Sequence, residues 1–138
     1  MTVCTVPIEH LSGIWPLARP HIARALDRDK AQRYLPNDVL ALLLKGSVRL
    51  WVSWNEQEKS VEAAMITEII EYPQLRELKI WLVGGRNMRA WGREARDLFE
   101  LYGREHGCSI MSGALRKGWL KIGGAGYEQT GIMFEKRL

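Results

Sequence analysis

The hydrophobic positions in the first third of the chain follow a helical period. Apolar residues recur every three or four positions over Leu11–Leu26, which is typical of a helix that packs along one side. Pro16 and Pro20 lie inside this stretch, and because proline lacks the N–H that a helix interior needs, we expect two separate helical pieces. A further helix is predicted over residues 38–45, between a capping Asp38 and Gly46.

The period changes to alternation after residue 46. A short strand is predicted over residues 2–6, and three antiparallel strands over residues 47–54, 61–70 and 75–83. A loop at 71–73 would place Glu68 opposite Arg76. Both faces of the last two strands are largely apolar, so we expect helices on both sides of the sheet.

A long amphipathic helix is predicted to begin after Asn87, a candidate N-cap, and to end at Gly107. Its apolar stripe consists of Met88, Trp91, Ala95, Leu98, Phe99 and Tyr102. A short strand over 109–112, a helical turn over 119–122 and a final strand over 127–136 follow. Residues 1–138 are therefore predicted to form one α+β domain with a mixed, mostly antiparallel sheet.

The composition changes this picture little. The chain has 138 residues, of which 46% are hydrophobic and 26% charged, so it falls outside the disordered and disulfide-rich classes. Its longest apolar run, residues 39–44, is far shorter than the roughly 20 residues that a membrane span needs. With only Cys4 and Cys108, and no secretion signal in the first ten residues, the sequence is typical of a reduced, cytoplasmic protein.

The net charge of +4 is concentrated between residues 86 and 121, where eight basic residues stand against four acidic ones. One interpretation is a surface that binds the phosphates of a nucleotide-like cofactor or of nucleic acid. The other is a solvated helix face with the pairs Arg93/Asp97 and Arg96/Glu100.

Six tryptophans are a high number for this length. Next to basic residues such as Arg116 and Lys117, they could line a cleft, a partner surface or a stacking platform for nucleic acid. Core packing already explains Trp91 and Trp54, so nucleic acid is not the favoured partner. The remaining tryptophans considered for such a surface are Trp51, Trp81 and Trp119.

The order of the predicted elements is similar to that of the GNAT fold, the family of acyl-CoA N-acyltransferases. The segment 91–108, ending Tyr-Gly-Arg-Glu-His-Gly-Cys, resembles the family's third helix and the approach to its fifth strand. Gly126-Tyr127 resembles its Gly-Phe pair. The resemblance implies acetyl-CoA as cosubstrate and an amine as acceptor.

In that family, N–H groups in a loop of pattern Gln/Arg-x-x-Gly-x-Gly/Ala at the third helix bind the CoA pyrophosphate, since a helix start attracts anions. The resemblance places this loop on residues 87–92, where only Gly92 fits outright, and the backbone of residues 83–86 is an alternative. Val83 and Gly84 would polarise the thioester. The implied cofactor-binding residues are Val83, Gly84, Gly85, Arg86, Asn87, Arg89, Ala90 and Gly92.

The resemblance also implies a general base on the central strands, either Glu68 or Glu77, although a cross-strand pair with Arg76 is the simpler explanation for Glu68. The family's leaving-group tyrosine falls on Ile122, which has no proton to donate. Tyr127 comes too late in the pattern and is expected to pack instead. The three histidines show no ligand-like spacing, so no metal site is expected.

Two functions remain open. The chain is either a GNAT-like enzyme that transfers an acetyl group to an amine, or a catalytically inactive binding or structural module with a protein partner. The altered loop resembles that of small GNAT-like proteins encoded by tailed bacteriophages. The second function would then be that of a phage accessory or internal virion protein, located in the host cytoplasm or the virion.

Overall fold

The computed structural model describes residues 2–123 and 126–138. Its five strands form a single sheet in the order β1-β2-β3-β4-β5, antiparallel except for the parallel pair β4–β5. The α+β class and the mixed sheet are confirmed. The elements are β1 (Thr2–Val6), a 3-10 turn (Ile8–His10), α1 (Leu11–Leu26), α2 (Pro36–Leu44), β2 (Arg49–Asn55), β3 (Ser60–Glu71), β4 (Arg76–Gly85), α3 (Met88–Glu105), β5 (Ile110–Gly113) and α4 (Lys117–Gly123).

Helices cover both faces of the sheet, as predicted. On one face α1 and α2 bury Ile22 and Val39 against Ile66 of β3. On the other face α3 and α4 bury the predicted stripe, with Trp91 and Phe99 almost fully enclosed. Burial of this apolar area is the main stabilising contribution to the fold.

Three of the tryptophans considered for a surface belong to the core. Trp51, Trp91 and Trp119 are at most 5% exposed. Trp51 packs edge-to-face on Phe99, with ring centroids 5.1 Å apart. The prediction of a stacking platform is therefore wrong for these three side chains. The other two tryptophans considered for it, Trp54 and Trp81, are half-buried.

The helix α1 is continuous, so the prediction of two pieces is wrong. Pro16 and Pro20 both lie inside it and both are exposed. Because they are four residues apart, their missing N–H groups lie on one solvent-facing side, where water can hydrate the carbonyls left without partners. Burial of the opposite side, including Ala18 and Ile22, overrides the local cost.

The helix α2 starts earlier than predicted, with Pro36 in its first turn. Asp38 is not the N-cap but lies in that turn, where its carboxylate accepts a hydrogen bond of 2.8 Å from the N–H of Leu35. No helix in the described part of the chain is long and apolar enough to cross a membrane.

The hairpin of β3 and β4 has a different register from the predicted one. Its turn is four residues long and is closed by a 2.8 Å hydrogen bond from the Tyr72 N–H to the Leu75 carbonyl. Glu68 therefore lies opposite Lys79, and Arg76 forms its ion pair with Glu71. The predicted pair of Glu68 and Arg76 is wrong because a longer turn shifts every partner along the strand.

The predicted final strand over 127–136 is absent, since residues 126–138 have no regular secondary structure. The segment is held instead by the loop after α1, through an ion pair of Glu135 with Arg33 and a hydrogen bond from Arg137 to the Lys30 carbonyl. Among the described residues β5 pairs only with β4, so these contacts, and not a ladder with β5, fix the segment.

Candidate functional site

The parallel pair β4–β5 ends well before β4 does. Its register runs from Glu77 opposite Ile110 to Ile80 opposite Gly113, where β5 stops. Residues 81–85 of β4 thus have no strand partner on the side away from β3 among the described residues. We call this side of residues 81–85 the open edge.

The hydrogen bonds between β3 and β4 show which groups face the open edge. The N–H of Arg86 donates to the Glu62 carbonyl at 3.0 Å, so this pair faces inward. In an antiparallel ladder, residues that hydrogen-bond to the partner strand alternate with residues whose N–H and C=O point away from it. Gly84, two residues before Arg86, therefore bonds to β3, whereas the N–H and C=O of Val83 point to the open edge. Gly85 points outward for the same reason.

A β-bulge lies at the beginning of the open edge. The register shifts between Ile66 and Thr67, which leaves Trp81 as the extra residue of β4. Bulges re-aim side chains and are frequent beside active sites. Trp81 is half-buried and packs edge-to-face on Tyr34, with ring centroids 4.8 Å apart, so these two rings flank the bulge.

The open edge leads directly into the start of α3. Asn87 is the N-cap as predicted, but it adopts a left-handed conformation, with φ of 56°, and its side chain caps no N–H. In the described structure the N–H groups of Asn87, Met88 and Arg89 donate no hydrogen bond. Unpaired N–H groups at a helix start form a favourable environment for an anion.

Positive charge surrounds these N–H groups. Arg86, Arg89 and Arg93 are exposed and make no ion pair in the part of the chain that the structure describes. The predicted pair of Arg93 and Asp97 is wrong, because Asp97 instead contacts Arg96 at 2.9 Å. The predicted contact of Arg96 with Glu100 is present, at 3.9 Å.

The architecture matches that of known acetyltransferases. A probable acetyltransferase superposes with a TM-score of 0.72 over 100% of this chain and 98% of that chain, at 10% identity. An aminoglycoside acetyltransferase from an uncultured soil metagenomic sample, in complex with sisomicin, gives 0.71 over 99% and 95%, at 12% identity. A GNAT family acetyltransferase from Staphylococcus aureus gives 0.63 over 99% and 98%, also at 12%. The chain has the GNAT fold.

At these identities the likeness concerns the GNAT fold alone. No protein-family model matches the sequence, and no curated protein matches it either. These comparisons contain no support for the predicted resemblance to phage-encoded proteins.

The two glycines before the GNAT third helix belong to β4 and not to a loop, contrary to the sequence-based interpretation. A Cβ on Gly84 would lie 2.1 Å from the carbonyl oxygen of His21 in α1. Gly85 has φ of +148°, and a Cβ there would lie 2.4 Å from that of Ala63. Close packing of α1 and β3 explains both glycines. Gly92 is buried within α3, whereas Ala90 is exposed.

The two candidate bases lie nearer the other end of the sheet. Glu68 is on β3 opposite Lys79, and Glu77 is on β4 beside β5. Glu77 also lines a cavity of about 520 Å³ between β5, α4 and the C-terminal segment. It accepts a hydrogen bond of 3.3 Å from the hydroxyl of Tyr72, whose pKa its charge raises. At about 3.3 Å per residue, Glu77 is roughly 20 Å along the strand from Val83.

Tyr127 packs as the sequence predicts. Its hydroxyl donates to Glu100 at 2.6 Å, and burial together with this hydrogen bond raises the pKa of Tyr127 well above its usual value. The residue is thereby tied to α3 with its proton in place. The side chain of Ile122, on which the resemblance places the family's tyrosine, lies outside the described residues.

Arg28 is a site residue that sequence reasoning missed. It follows α1, and its Nη1 donates to the carbonyl oxygen of Val83 at 3.3 Å, across 55 residues of sequence. Its guanidinium therefore lies at the open edge. No local pattern could have shown this contact, because it depends on how α1 is packed across β4.

Proposed function

We propose that the chain is an N-acyltransferase that moves an acetyl group from acetyl-CoA to an amine. The observation that carries the proposal is the outward-facing N–H of Val83, whose C=O already accepts from Arg28, next to three unpaired N–H groups at the start of α3. This arrangement offers hydrogen bonds to a thioester arm and, immediately beyond it, an anion site for a pyrophosphate.

The residues present fit acyl-CoA. The N–H groups of Asn87, Met88 and Arg89 would hold the pyrophosphate, with the side chains of Arg86 and Arg89 adding charge. The altered loop pattern does not prevent this, because the backbone supplies the donors. When bound, acetyl-CoA supplies the acetyl group as a thioester.

Val83 and a carboxylate would carry the chemistry. The Val83 N–H would donate to the thioester carbonyl and stabilise the negative charge that develops there, whereas Gly84, which bonds toward β3, would not. A carboxylate would take the proton of the amine, whose nitrogen forms the new C–N bond as the C–S bond breaks. CoA thiolate is a tolerable leaving group near neutral pH, so the proposal does not depend on a tyrosine at 122.

Glu77 and Glu68 are the proposed candidates for that carboxylate. Glu77 is the stronger one because it lines the cavity beside β5. Because Glu77 is roughly 20 Å along the strand from Val83, farther than a side chain and one water can reach, it would receive the proton at the end of a chain of several waters in that cavity. No observation favours the alternative of an inactive phage or virion module.

The proposal is tested by measuring amine-dependent release of free thiol from acetyl-CoA. General base catalysis contributes about 10²–10⁴-fold, so Glu77→Gln is expected to lower kcat by that order. Glu68→Gln, which also removes one carboxylate from the same hairpin, is the matched control and should leave kcat nearly unchanged. Absence of thiol release with every class of amine contradicts the proposed function. A loss of kcat confined to Glu68→Gln would instead identify Glu68, on β3, as the general base.

A further inference from the structure

We propose that the cavity beside Arg49 is a binding site for a small carboxylate that carries a short apolar chain. The cavity has a volume of about 220 Å³ and lies where β1 ends and β2 begins. It shares no lining residue with the open edge or with the cavity beside β5. The inference goes beyond the proposed function and does not depend on it.

Arg49 differs from the other half-buried arginines in its partners. Among the described residues three arginines are half-buried, Arg49, Arg76 and Arg96. The other two each form an ion pair, with Glu71 and Asp97 respectively. No described carboxylate lies within ion-pair distance of Arg49. Because partial burial of a charge is costly without a counter-ion, this arginine is the one that an anionic ligand would stabilise most.

The guanidinium of Arg49 is held in position by its neighbours. Its Nε donates a hydrogen bond of 2.6 Å to the Thr5 hydroxyl, and its Cζ lies over the ring of Tyr102, 5.2 Å from the ring centroid. Tyr102 packs edge-to-face on Trp51 and itself lines the cavity. In the described structure the Nη groups donate no hydrogen bond. An arginine that is oriented in this way presents the forked donors that match the two oxygens of a carboxylate.

The walls of the cavity complement the rest of such a ligand. Of the described residues that line it, Arg49 alone is charged, so no acidic lining residue competes for its guanidinium. Leu11, Leu43 and Leu50 are buried apolar walls, and the hydroxyl of Ser47 adds a further hydrogen-bond donor. A fixed cation beside apolar walls favours an anion with an apolar chain over an amine or inorganic phosphate.

The volume of the cavity limits the length of that chain. At a share of about 30 Å³ for each water molecule, a cavity of about 220 Å³ holds about seven waters. A carboxylate of about six non-hydrogen atoms, such as butanoate, fills the same space. A molecule of the size of acetyl-CoA is too large for it.

The test is a titration of isotope-labelled protein followed by the NMR signals of its backbone amides. The compounds are butanoate, acetate, the neutral butanamide and inorganic phosphate. We expect butanoate to bind saturably with a Kd on the order of 1 mM, and to shift the amides of residues 47–50 and 67–69. Butanamide lacks the charge and acetate lacks two methylene groups, so each should bind about 10-fold more weakly. Phosphate, which has no apolar chain, should also bind more weakly than butanoate.

Variants locate the effect at Arg49. Arg49→Gln should weaken butanoate binding by about 10- to 100-fold, the range for hydrogen bonds to a charged group, and leave butanamide binding unchanged. Arg19→Gln removes an equal charge from an exposed position of α1 and is the control that should not affect butanoate.

A second variant closes the cavity without altering Arg49. Ile8 lines the cavity and is 55% exposed, so it lies at the rim. The larger side chain of Ile8→Trp should prevent butanoate from binding while the charge of the protein is unchanged. This variant decides the matter if Arg49→Gln does not fold.

The inference is overturned if butanoate and butanamide bind alike, if phosphate binds more tightly than butanoate, or if the shifted amides lie away from the cavity. Equal weakening of butanoate binding by Arg49→Gln and Arg19→Gln would also contradict it. Failure of acetyl-CoA to bind or react is a separate result, because the proposed function places acyl-CoA at the open edge and the start of α3.

Discussion

Adding a single methyl group at Gly84 is expected to destabilise the whole fold. A Cβ at this position would lie 2.1 Å from the His21 carbonyl oxygen, whereas close C···O contacts are about 3.3 Å or longer. The obstacle is backbone and not the end of a flexible side chain. Gly84→Ala therefore requires the helix α1 to move away from β4 by about 1 Å.

The magnitude follows from what α1 buries. Ile22 and Ala25 follow His21 on α1 and belong to the buried core. A gap of 0.5–1 Å removes roughly a quarter to a half of the dispersion energy at each affected contact. Overpacked core substitutions typically cost about 1–3 kcal/mol. Because the backbone of α1 must shift, we expect a loss near 3 kcal/mol, or a fall in Tm of about 10 °C.

The measurement is the free energy of unfolding from urea titration, with Gly13→Ala as the matched control. Gly13 lies in the same helix, and a Cβ added there would have nothing within 4 Å. The same change at Gly13 should stabilise the protein by about 0.5–1 kcal/mol. If Gly84→Ala is as stable as the original chain, the packing of α1 on the open end of β4 is wrong.

Two further substitutions test single contacts. Burial lowers the pKa of His21 below its ordinary value of 6.5, and its Nε2 bonds to the Val61 carbonyl. As the pH falls, His21 is therefore protonated in the unfolded chain before it is protonated in the folded one. The stability that depends on neutral His21 is complete above pH 6.5 and is lost as the pH falls toward the folded-state pKa. Urea midpoints at about pH 7.5 and pH 5.5 should differ more in the original chain than in His21→Gln, and equal differences would contradict the assignment. Tyr127→Phe should lose about 1 kcal/mol with its hydrogen bond to Glu100 and leave kcat unchanged, whereas a large loss of kcat would make Tyr127 catalytic.

Features that depend on neighbours in sequence were predictable. The stripe of α3 repeats every three or four residues, so its buried side, its N-cap position at Asn87 and its end before Gly107 are all confirmed. The alternation in β2 to β4 similarly predicted a sheet covered on both faces. These local patterns were sufficient for the fold class and for locating the start of α3.

Features that depend on distant packing were not predictable. Pro16 and Pro20 are tolerated because α1 is buried on its other side, and the four-residue turn after Tyr72 changes the register of the hairpin. The bulge at Trp81 and the contact of Arg28 with Val83 leave no trace in the local sequence. The candidate site was therefore predicted at its α3 end and missed at its α1 end.

The measurement that tests the central claim most directly is titration of the protein with acetyl-CoA. We predict saturable binding with a Kd on the order of 10 μM, within the usual range of enzyme–substrate affinities. Arg89→Ala should weaken binding about 5- to 10-fold, because it removes one charge beside the unpaired N–H groups. Arg104→Ala, on the same helix but paired with Glu100, should not. Absence of binding at about 1 mM, or equal weakening by both variants, would contradict the assignment of the open edge and the start of α3 to acyl-CoA.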